Sequence, residues 1–219
     1  MGYTVGLRTW VPETSGRLHR RSARCLRTTG RNGHPSDVGV SVALYLIRHT
    51  PVDAPDGAIY GQREVDLHPD WQLHFEQLRN RLPANVSRVL TSPLGRCQKL
   101  ANWLVTHRWP SLAPEIRAEL KEMSFGRWQG LTWSTVPRAE LDAWARDWVH
   151  RAPPGGETYL QVRDRWRRLY QSVLELPGDT LVVTHAGLIR VALTDYLHCD
   201  PRMAFSWSVA FGEVFRLGT

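Results

Sequence analysis

The feature that most constrains the fold is the stretch VALYLIRHT at residues 42–50, which Pro51 follows. The apolar, β-prone run at its start is typical of a strand that is buried on both faces of a parallel sheet. Arg48 and His49 come directly after this run. Open α/β sheets bind their ligands at the carboxyl edge of the strands. The stretch therefore predicts a fixed cation and a titratable nitrogen at a ligand-binding edge.

Two later stretches have the same pattern, in which polar residues follow a β-prone run. RVLT at residues 88–91 precedes Ser92 and Arg96, and TLVVT at residues 180–184 precedes His185. Strands joined by helical crossovers are parallel, so their carboxyl ends share one edge of the sheet. We therefore expect two histidines and two arginines to meet in one pocket. Since no acid follows these strand ends, the pocket should suit a dianion such as phosphate.

The segments between the strands carry helical patterns, and the predicted fold class is α/β. We expect a three-layer sandwich with a mostly parallel sheet and helices on both faces. Ser92 should cap a helix that has Pro93 as its first residue, and residues 205–209 and 213–217 could form a final hairpin. Further helices are expected at residues 70–82, 139–149, 158–174 and 188–197, and the arginines of the third of these should form a solvated face: Arg163, Arg165, Arg167 and Arg168.

The length of 219 residues suits one large domain. We predict an Arg-rich disordered extension at residues 1–40 and one folded domain at residues 41–219. The net charge of +7 belongs mostly to the extension, which holds seven arginines and two acids and leaves 21 basic and 19 acidic side chains in the domain. Nucleic-acid binding by the domain is therefore not expected. An inert extension is favoured over a targeting or binding role on composition alone.

The cysteines and histidines argue against disulfides and metal. Cys25, Cys97 and Cys199 are odd in number and form no CxxC pair, which favours free thiols in a reducing, cytoplasmic compartment. His49 and His185 belong to no HxH or HExxH group, and the neighbouring arginines would repel a cation. The sequence also lacks an apolar run of transmembrane length, so no membrane association is expected.

Five motifs together resemble the histidine phosphatase superfamily, which includes the cofactor-dependent phosphoglycerate mutases. They are LIRHT, TSPLGRCQKLA, LKEMSFGRWQG, PPGGET and VVTHAGLIR, and they follow one another in the family's order across residues 42–197. The resemblance implies a phosphoglycerate mutase-like fold and a phosphomonoesterase that needs no cofactor or metal. Its partner would be a small phosphomonoester, and the protein would be a monomer or a homodimer.

The resemblance also implies a role for each site residue. His49 would be the nucleophile that becomes phosphorylated. Arg48, Arg96 and a protonated His185 would bind the phosphoryl oxygens. Glu122 would give a proton to the leaving alcohol and then act as the base for water, which fits chemistry that depends on positioning and charge.

The motifs depart from the common family pattern at several positions. Thr50 stands in place of a glycine, Gln129 in place of a frequent glutamate, and Pro55 where many members have an asparagine that contacts phosphate. We expect Gln62 to replace that asparagine. Glu157, at a helix start, is interpreted as a structural charge.

The RHT-P, YGQ, FGRWQG and PPGGE variants are most similar to the alpha-ribazole phosphatases of cobalamin assembly. This similarity implies alpha-ribazole 5'-phosphate or the phosphorylated cobamide as the substrate. A broad sugar-phosphate phosphatase, a phosphoglycerate mutase and a non-catalytic phospho-ligand binder remain alternatives. The mutase is disfavoured because the segment between Glu122 and His185 is short and reads as ordinary helices.

Overall fold

Strands and helices alternate along the part of the chain, residues 42–218, that a computed structural model describes. The ten main elements, in chain order, are β1 (Leu44–Arg48), α1 (Trp71–Arg79), β2 (Arg88–Thr91), α2 (Gly95–Arg108), β3 (Pro114–Ile116), α3 (Arg138–Ala145), α4 (Tyr159–Leu174), β4 (Thr180–Thr184), α5 (Ala186–Tyr196) and β5 (Val214–Leu217). Short 3₁₀ helices occur at Ala118–Leu120, Gly126–Trp128 and Pro201–Ser206.

The five strands form one sheet in the order β3-β2-β4-β1-β5. Four of them are parallel, and only β5 runs antiparallel, along β1. In this register Arg48 at the end of β1 is opposite Thr184 at the end of β4. The carboxyl ends of β2, β4 and β1 therefore meet at one edge, as the sequence predicts.

Side chains of the central strands alternate between two apolar cores. Leu46 and Val182 pack into one core with α4 and α5, whereas Ile47 and Val183 pack into the other with α1 and α2. Because successive strand residues face opposite sides, such alternation requires a helical layer on each face of the sheet. The α/β three-layer arrangement with a mostly parallel sheet is confirmed.

Helix α4 begins with a pair of reciprocal hydrogen bonds between its N-cap residue and its first turn. Thr158 Oγ1 accepts a hydrogen bond from the Gln161 backbone N–H, and Gln161 Oε1 accepts one from the Thr158 N–H. This reciprocal pair is a capping box, which satisfies two backbone donors at the helix start. The helix then buries the apolar stripe expected for it: Tyr159, Val162, Trp166, Leu169 and Val173.

Ser92 is not the cap of α2, although its sequence context predicts one. The helix begins at Gly95, with Leu94 as its N-cap. The Ser92 N–H still donates to Val183 O at 3.0 Å, and Pro93 disfavours helical backbone at the residue before it. Sheet pairing thus extends through Ser92, which frees its hydroxyl for another contact.

The predicted final hairpin is wrong. Residues 201–206 form a 3₁₀ helix, and β5 pairs with β1 rather than with a neighbouring strand. The pairing places Leu217 opposite Leu44, so both ends of the described chain lie together at the amino edge of β1. There, a Cβ at Gly218 would meet Val42 O at 2.7 Å.

The extension predicted at residues 1–40 lies outside the described residues. Within residues 42–218, no helix combines the length and the apolar character that crossing a membrane requires.

Candidate active site

The two site histidines lie together at the carboxyl edge of the sheet. His49 follows β1 and is 1% exposed, and His185 follows β4 and is 0% exposed. Their ring centroids are 5.2 Å apart. The parallel pairing of β1 with β4 brings the two rings into contact, since both residues extend the same register by one position.

His49 is held in one tautomer. Its Nδ1 lies 2.8 Å from Thr50 O, and a carbonyl oxygen can only accept, so Nδ1 carries the proton. The lone pair of the neutral ring is therefore on Nε2. Burial, together with the positive charges of Arg96 and Arg48, lowers the pKa of His49 well below 6.5. The ring is thus neutral at pH 7 and offers a nucleophilic nitrogen.

Two guanidinium groups flank the histidines without a carboxylate partner. Arg96 donates to Arg63 O at 2.9 Å and to Gly61 O at 2.7 Å, and Arg48 donates to Val209 O at 2.7 Å. Neither forms an ion pair within residues 42–218, and the Nε of each is buried with no hydrogen-bond partner there. Buried charges are normally paired, so this arrangement favours an anionic ligand.

Aromatic rings complete the walls around these arginines. The Arg48 Cζ atom lies 3.6 Å from the ring centroid of Phe211, and Arg96 Cζ lies 5.0 Å from that of Tyr60. Both rings also contact His49. Cation–π contact neutralises little charge but fixes the planes of the guanidinium groups. Neither ring was predicted as part of the site, although Tyr60 belongs to the YGQ motif.

His185 contacts Ser92, which was expected to cap a helix at this sheet edge, and Cys97, which was expected to be a free thiol. Its Nε2 lies 2.8 Å from Ser92 Oγ and 3.4 Å from Cys97 Sγ. Burial and the charges of Arg96 and His49 lower its pKa well below 6.5. Without a ligand, burial beside cations thus disfavours a positive charge on His185, and the protonated His185 expected to bind phosphoryl oxygens stays a prediction.

Glu122 is buried, and its carboxylate bridges two backbone donors. Oε1 accepts from Met123 N at 2.9 Å, and Oε2 accepts from Gly187 N at 3.2 Å, in the first turn of α5. A Cβ at position 187 would collide with Oε1. Glycine at 187 therefore lets the carboxylate dock against the helix start that follows His185.

Arg165 holds the backbone around Glu122. The prediction of a solvated arginine face on α4 is wrong for this residue, which is 9% exposed. Its guanidinium donates to Glu119 O, to Glu122 O at 3.2 Å and to Glu157 Oε1 at 3.1 Å. Burial follows because Arg165 occupies the edge of the apolar stripe. Its spacing from Val162 and Leu169 is the sequence signal for this position, but the partners that accept its hydrogen bonds come from distant segments.

Glu157 and Gln62 belong to the same support. Glu157 Oε2 accepts from Ser124 N at 2.8 Å and from Gln62 Nε2 at 3.2 Å, and Gln62 Nε2 also donates to Glu122 O at 2.9 Å. The structural interpretation of Glu157 agrees with these contacts. The phosphate-contacting role of Gln62 stays a prediction, and its amide nitrogen is directed at the Glu122 backbone instead.

A cavity of about 180 Å³ opens next to Glu122 and Gly187. Its volume suits one part of a ligand, such as a single ring system, rather than the whole of a large molecule. The half-buried Arg190 also lines it. Six of the other side chains in its wall are aromatic: Tyr60, Phe125, Trp133, Trp148, Tyr159 and Phe205. The arrangement thus joins an anion-binding cluster, a neutral imidazole and a carboxylate to an apolar pocket.

Metal ligands are not grouped in residues 42–218: no three His, Cys, Asp or Glu side chains are placed to hold an ion.

Comparison with known proteins identifies the family. A model of the histidine phosphatase superfamily (branch 1) matches residues 44–218, which is most of the chain. The chain therefore belongs to the histidine phosphatase superfamily. It is a phosphatase that hydrolyses phosphomonoesters. No protein of curated function matches its sequence.

Solved structures of phosphatases share the fold. Alpha-ribazole phosphatase from Shigella flexneri is 26% identical with a TM-score of 0.72, and the match covers 80% of this chain and 89% of that one. An Escherichia coli protein to which alpha-ribazole-5'-P phosphatase activity is attributed is 25% identical with a TM-score of 0.72, covering 81% and 90%. A mycobacterial glucosyl-3-phosphoglycerate phosphatase is 24% identical with a TM-score of 0.68, covering 81% and 90%. Because its sequence identity is only 24%, the mycobacterial structure is evidence for a shared fold and not for a shared function.

We predict that Arg165→Met lowers kcat/KM for phosphomonoesters by about 10-fold or more, because the buried guanidinium has hydrogen bonds to two backbone carbonyls and to Glu157. Steady-state kinetics at matched folded fractions measure this loss. Arg168→Met, on the exposed side of the same helix, is the control and should leave kcat/KM unchanged. Equal activity of the two variants would contradict a supporting role for Arg165.

We also predict that His49 is neutral and protonated at Nδ1 at pH 6.5. Because the folded pKa lies below 6.5, the ring takes up its proton only at lower pH than in the unfolded chain. Long-range ¹H–¹⁵N NMR of the imidazoles over a pH titration measures both properties, with a urea-unfolded sample as the reference. An imidazolium signal for His49 at pH 6.5 would show the prediction to be wrong.

Proposed function

We propose that this phosphatase hydrolyses alpha-ribazole 5'-phosphate, or the phosphorylated cobamide, through a phosphohistidine on His49 and so serves cobalamin assembly. The observation that carries the proposal is the arrangement of Arg96, which is buried, and Arg48, which is half-buried, around the neutral His49, with no carboxylate partner for either arginine in residues 42–218. Metal ions take no part. The cysteine usage favours the cytoplasm as its location.

In the first step, His49 Nε2 attacks phosphorus in line with the ester oxygen. The N–P bond forms as the P–O bond to the leaving alcohol breaks, and Glu122 supplies the proton that this oxygen needs. Arg48 and Arg96 stabilise the charge on the phosphoryl oxygens. A bound dianion raises the pKa of nearby His185, so that this ring can add a positive charge as the substrate arrives.

In the second step, water releases the phosphate. The ionised Glu122 takes a proton from water, the new O–P bond forms, and the N–P bond to His49 breaks. Inorganic phosphate then leaves, and Glu122 is again protonated. Its two backbone hydrogen bonds keep the carboxylate in one place for both steps. One carboxylate can therefore act first as an acid and then as a base.

The substrate assignment is supported by the cavity beside Glu122. An alcohol that receives a proton from Glu122 has the rest of its structure next to the aromatic wall. A planar heterocycle such as a benzimidazole is complementary to rings that stack or meet edge to face. Similarity to the Shigella flexneri alpha-ribazole phosphatase supports the same substrate class.

A substrate panel tests this proposal. We expect kcat/KM to be at least about 10-fold higher for alpha-ribazole 5'-phosphate than for AMP, glucose 6-phosphate or 3-phosphoglycerate, a difference that apolar ring contacts can supply. EDTA should not change the rates, since only side chains act. A preference for 3-phosphoglycerate or a sugar phosphate, or mutase activity with 2,3-bisphosphoglycerate, would refute the substrate assignment.

Two variants test the intermediate. With p-nitrophenyl phosphate, whose leaving group needs little protonation, Glu122→Gln should give a burst of nitrophenol and retain a phosphorylated protein, because water is no longer activated. His49→Ala should give neither burst nor label. Rapid quench with ³²P-labelled substrate measures both. A labelled His49→Ala protein would rule out His49 as the nucleophile, and loss of the burst in Glu122→Gln would indicate a structural role for Glu122.

A further inference from the structure

Arg190 lines the aromatic cavity from helix α5. It lies one helical turn after Gly187, whose N–H holds Glu122, so both residues lie on the same face of the helix. Arg190 Nε donates to Trp207 O at 3.1 Å, and Cζ lies 6.0 Å from the ring centroid of Phe205. These contacts hold the guanidinium at the cavity wall.

The terminal nitrogens of Arg190 are available to a ligand. Within residues 42–218 they make no hydrogen bond, and Arg190 forms no ion pair there. Burial lowers the pKa of the guanidinium, partly offset by the negative charge of Glu122. An arginine has five N–H donors and remains charged in proteins. Only Nε is used, and Arg190 lines a mostly apolar pocket that offers few acceptors to its remaining donors.

The mechanism above assigns no task to this group. Its bond to Trp207 O uses one donor only, and a hydrocarbon side chain could fill the same wall at a lower desolvation cost. A cation in such a wall therefore requires a separate explanation, and an acceptor on the bound molecule supplies one.

We propose that Arg190 is a specificity-determining residue that donates from its terminal nitrogens to a hydrogen-bond acceptor on the leaving group. This inference rests on the proposed function, in which the leaving alcohol occupies the cavity beside Glu122. The ligand class is a ring-bearing alcohol whose ring presents an acceptor, either a neutral ring nitrogen or a carboxylate. Arg190 acts by binding this ring and has no part in the transfer of phosphate.

Neutral and anionic acceptors place different demands on the site. A carboxylate gains a full charge interaction with Arg190 but is repelled by Glu122, which lines the same cavity and becomes ionised as it gives its proton to the leaving alcohol. A ring nitrogen avoids that repulsion and fits the heterocycle proposed above. We therefore expect the neutral acceptor to gain more from Arg190.

Three aryl esters of similar size separate these possibilities: phenyl phosphate, 3-pyridyl phosphate and 3-carboxyphenyl phosphate. Arg190→Met should lower kcat/KM for the pyridyl ester by about 10- to 100-fold, the range for one hydrogen bond to a charged donor, and should change that for phenyl phosphate by less than about threefold. A loss confined to the carboxyphenyl ester would support the same role with an anionic acceptor. Taking the ratio of wild type to variant for each ester removes differences in leaving-group acidity.

Controls guard against a structural explanation. Inhibition by inorganic phosphate should change little in Arg190→Met, because within residues 42–218 Arg190 makes no hydrogen bond to a residue of the cluster around His49. Arg190→Lys keeps the charge and replaces the methionine variant if that variant unfolds below the assay temperature; it should show a smaller loss with the same order among the esters. Arg168→Met is the neutral surface control. An equal loss for all three esters, or no loss for any, overturns the inference.

The outcome is separable from that of the substrate proposal. If alpha-ribazole 5'-phosphate is not preferred in the panel, the substrate assignment fails, whereas the three aryl esters still report on Arg190. If alpha-ribazole 5'-phosphate is preferred but all three esters respond equally to Arg190→Met, the Arg190 inference fails alone.

Discussion

The active site depends on two arginine side chains at one edge of the sheet, neither of which has a carboxylate partner in residues 42–218. Arg48 and Arg96 come from different strand–helix turns, and backbone carbonyls rather than carboxylates fix their positions. Carbonyl partners orient a guanidinium without cancelling its charge, so its attraction for a dianion is preserved. Burial, reinforced by these same charges, keeps His49 and His185 neutral in the free protein. The two arginines therefore contribute both to the neutral, nucleophilic state of His49 and to the preference of the site for an anionic ligand.

Glu122 lies on a segment that is separate from the two strand–helix turns that carry Arg48 and Arg96. The segment that carries Glu122 has little regular structure, and its position is fixed from three sides. Arg165 and Gln62 hold its carbonyl groups, Thr184 Oγ1 donates to Leu120 O at 2.8 Å, and the start of α5 receives the side chain. The side chain of Glu122 thus reaches the sheet edge from a loop. Hydrogen bonds to buried polar groups fix the conformation of this loop.

Much of this arrangement follows from the sequence. Buried strands at residues 88–91 and 180–184 have the predicted bounds, and the convergence of His49, Arg96 and His185 follows from parallel pairing. These features depend on short-range pattern and on general rules of connection. Short-range pattern can be read from a few neighbouring residues. The rules of connection require only the order of strands and helices along the chain.

The remaining features depend on contacts between distant segments. Helical spacing puts Arg165 at the edge of the apolar stripe of α4, but sequence pattern cannot show that two backbone carbonyls and Glu157 lie there to receive its guanidinium. Ser92 matches the cap pattern, yet pairing with β4 and contact with His185 determine its conformation. The prediction of a final hairpin is wrong for a similar reason, since β5 pairs with a strand from the opposite end of the domain.

The antiparallel pairing of β5 with β1 also has a consequence for chain connectivity. It brings Val42 and Gly218 together at the edge of the sheet opposite His49 and His185. A strand of five residues spans about 16 Å, so this junction is remote from the chemistry. The domain is in effect a nearly closed loop, and a short peptide joining residues 218 and 42 would permit circular permutants whose new termini lie in a surface turn.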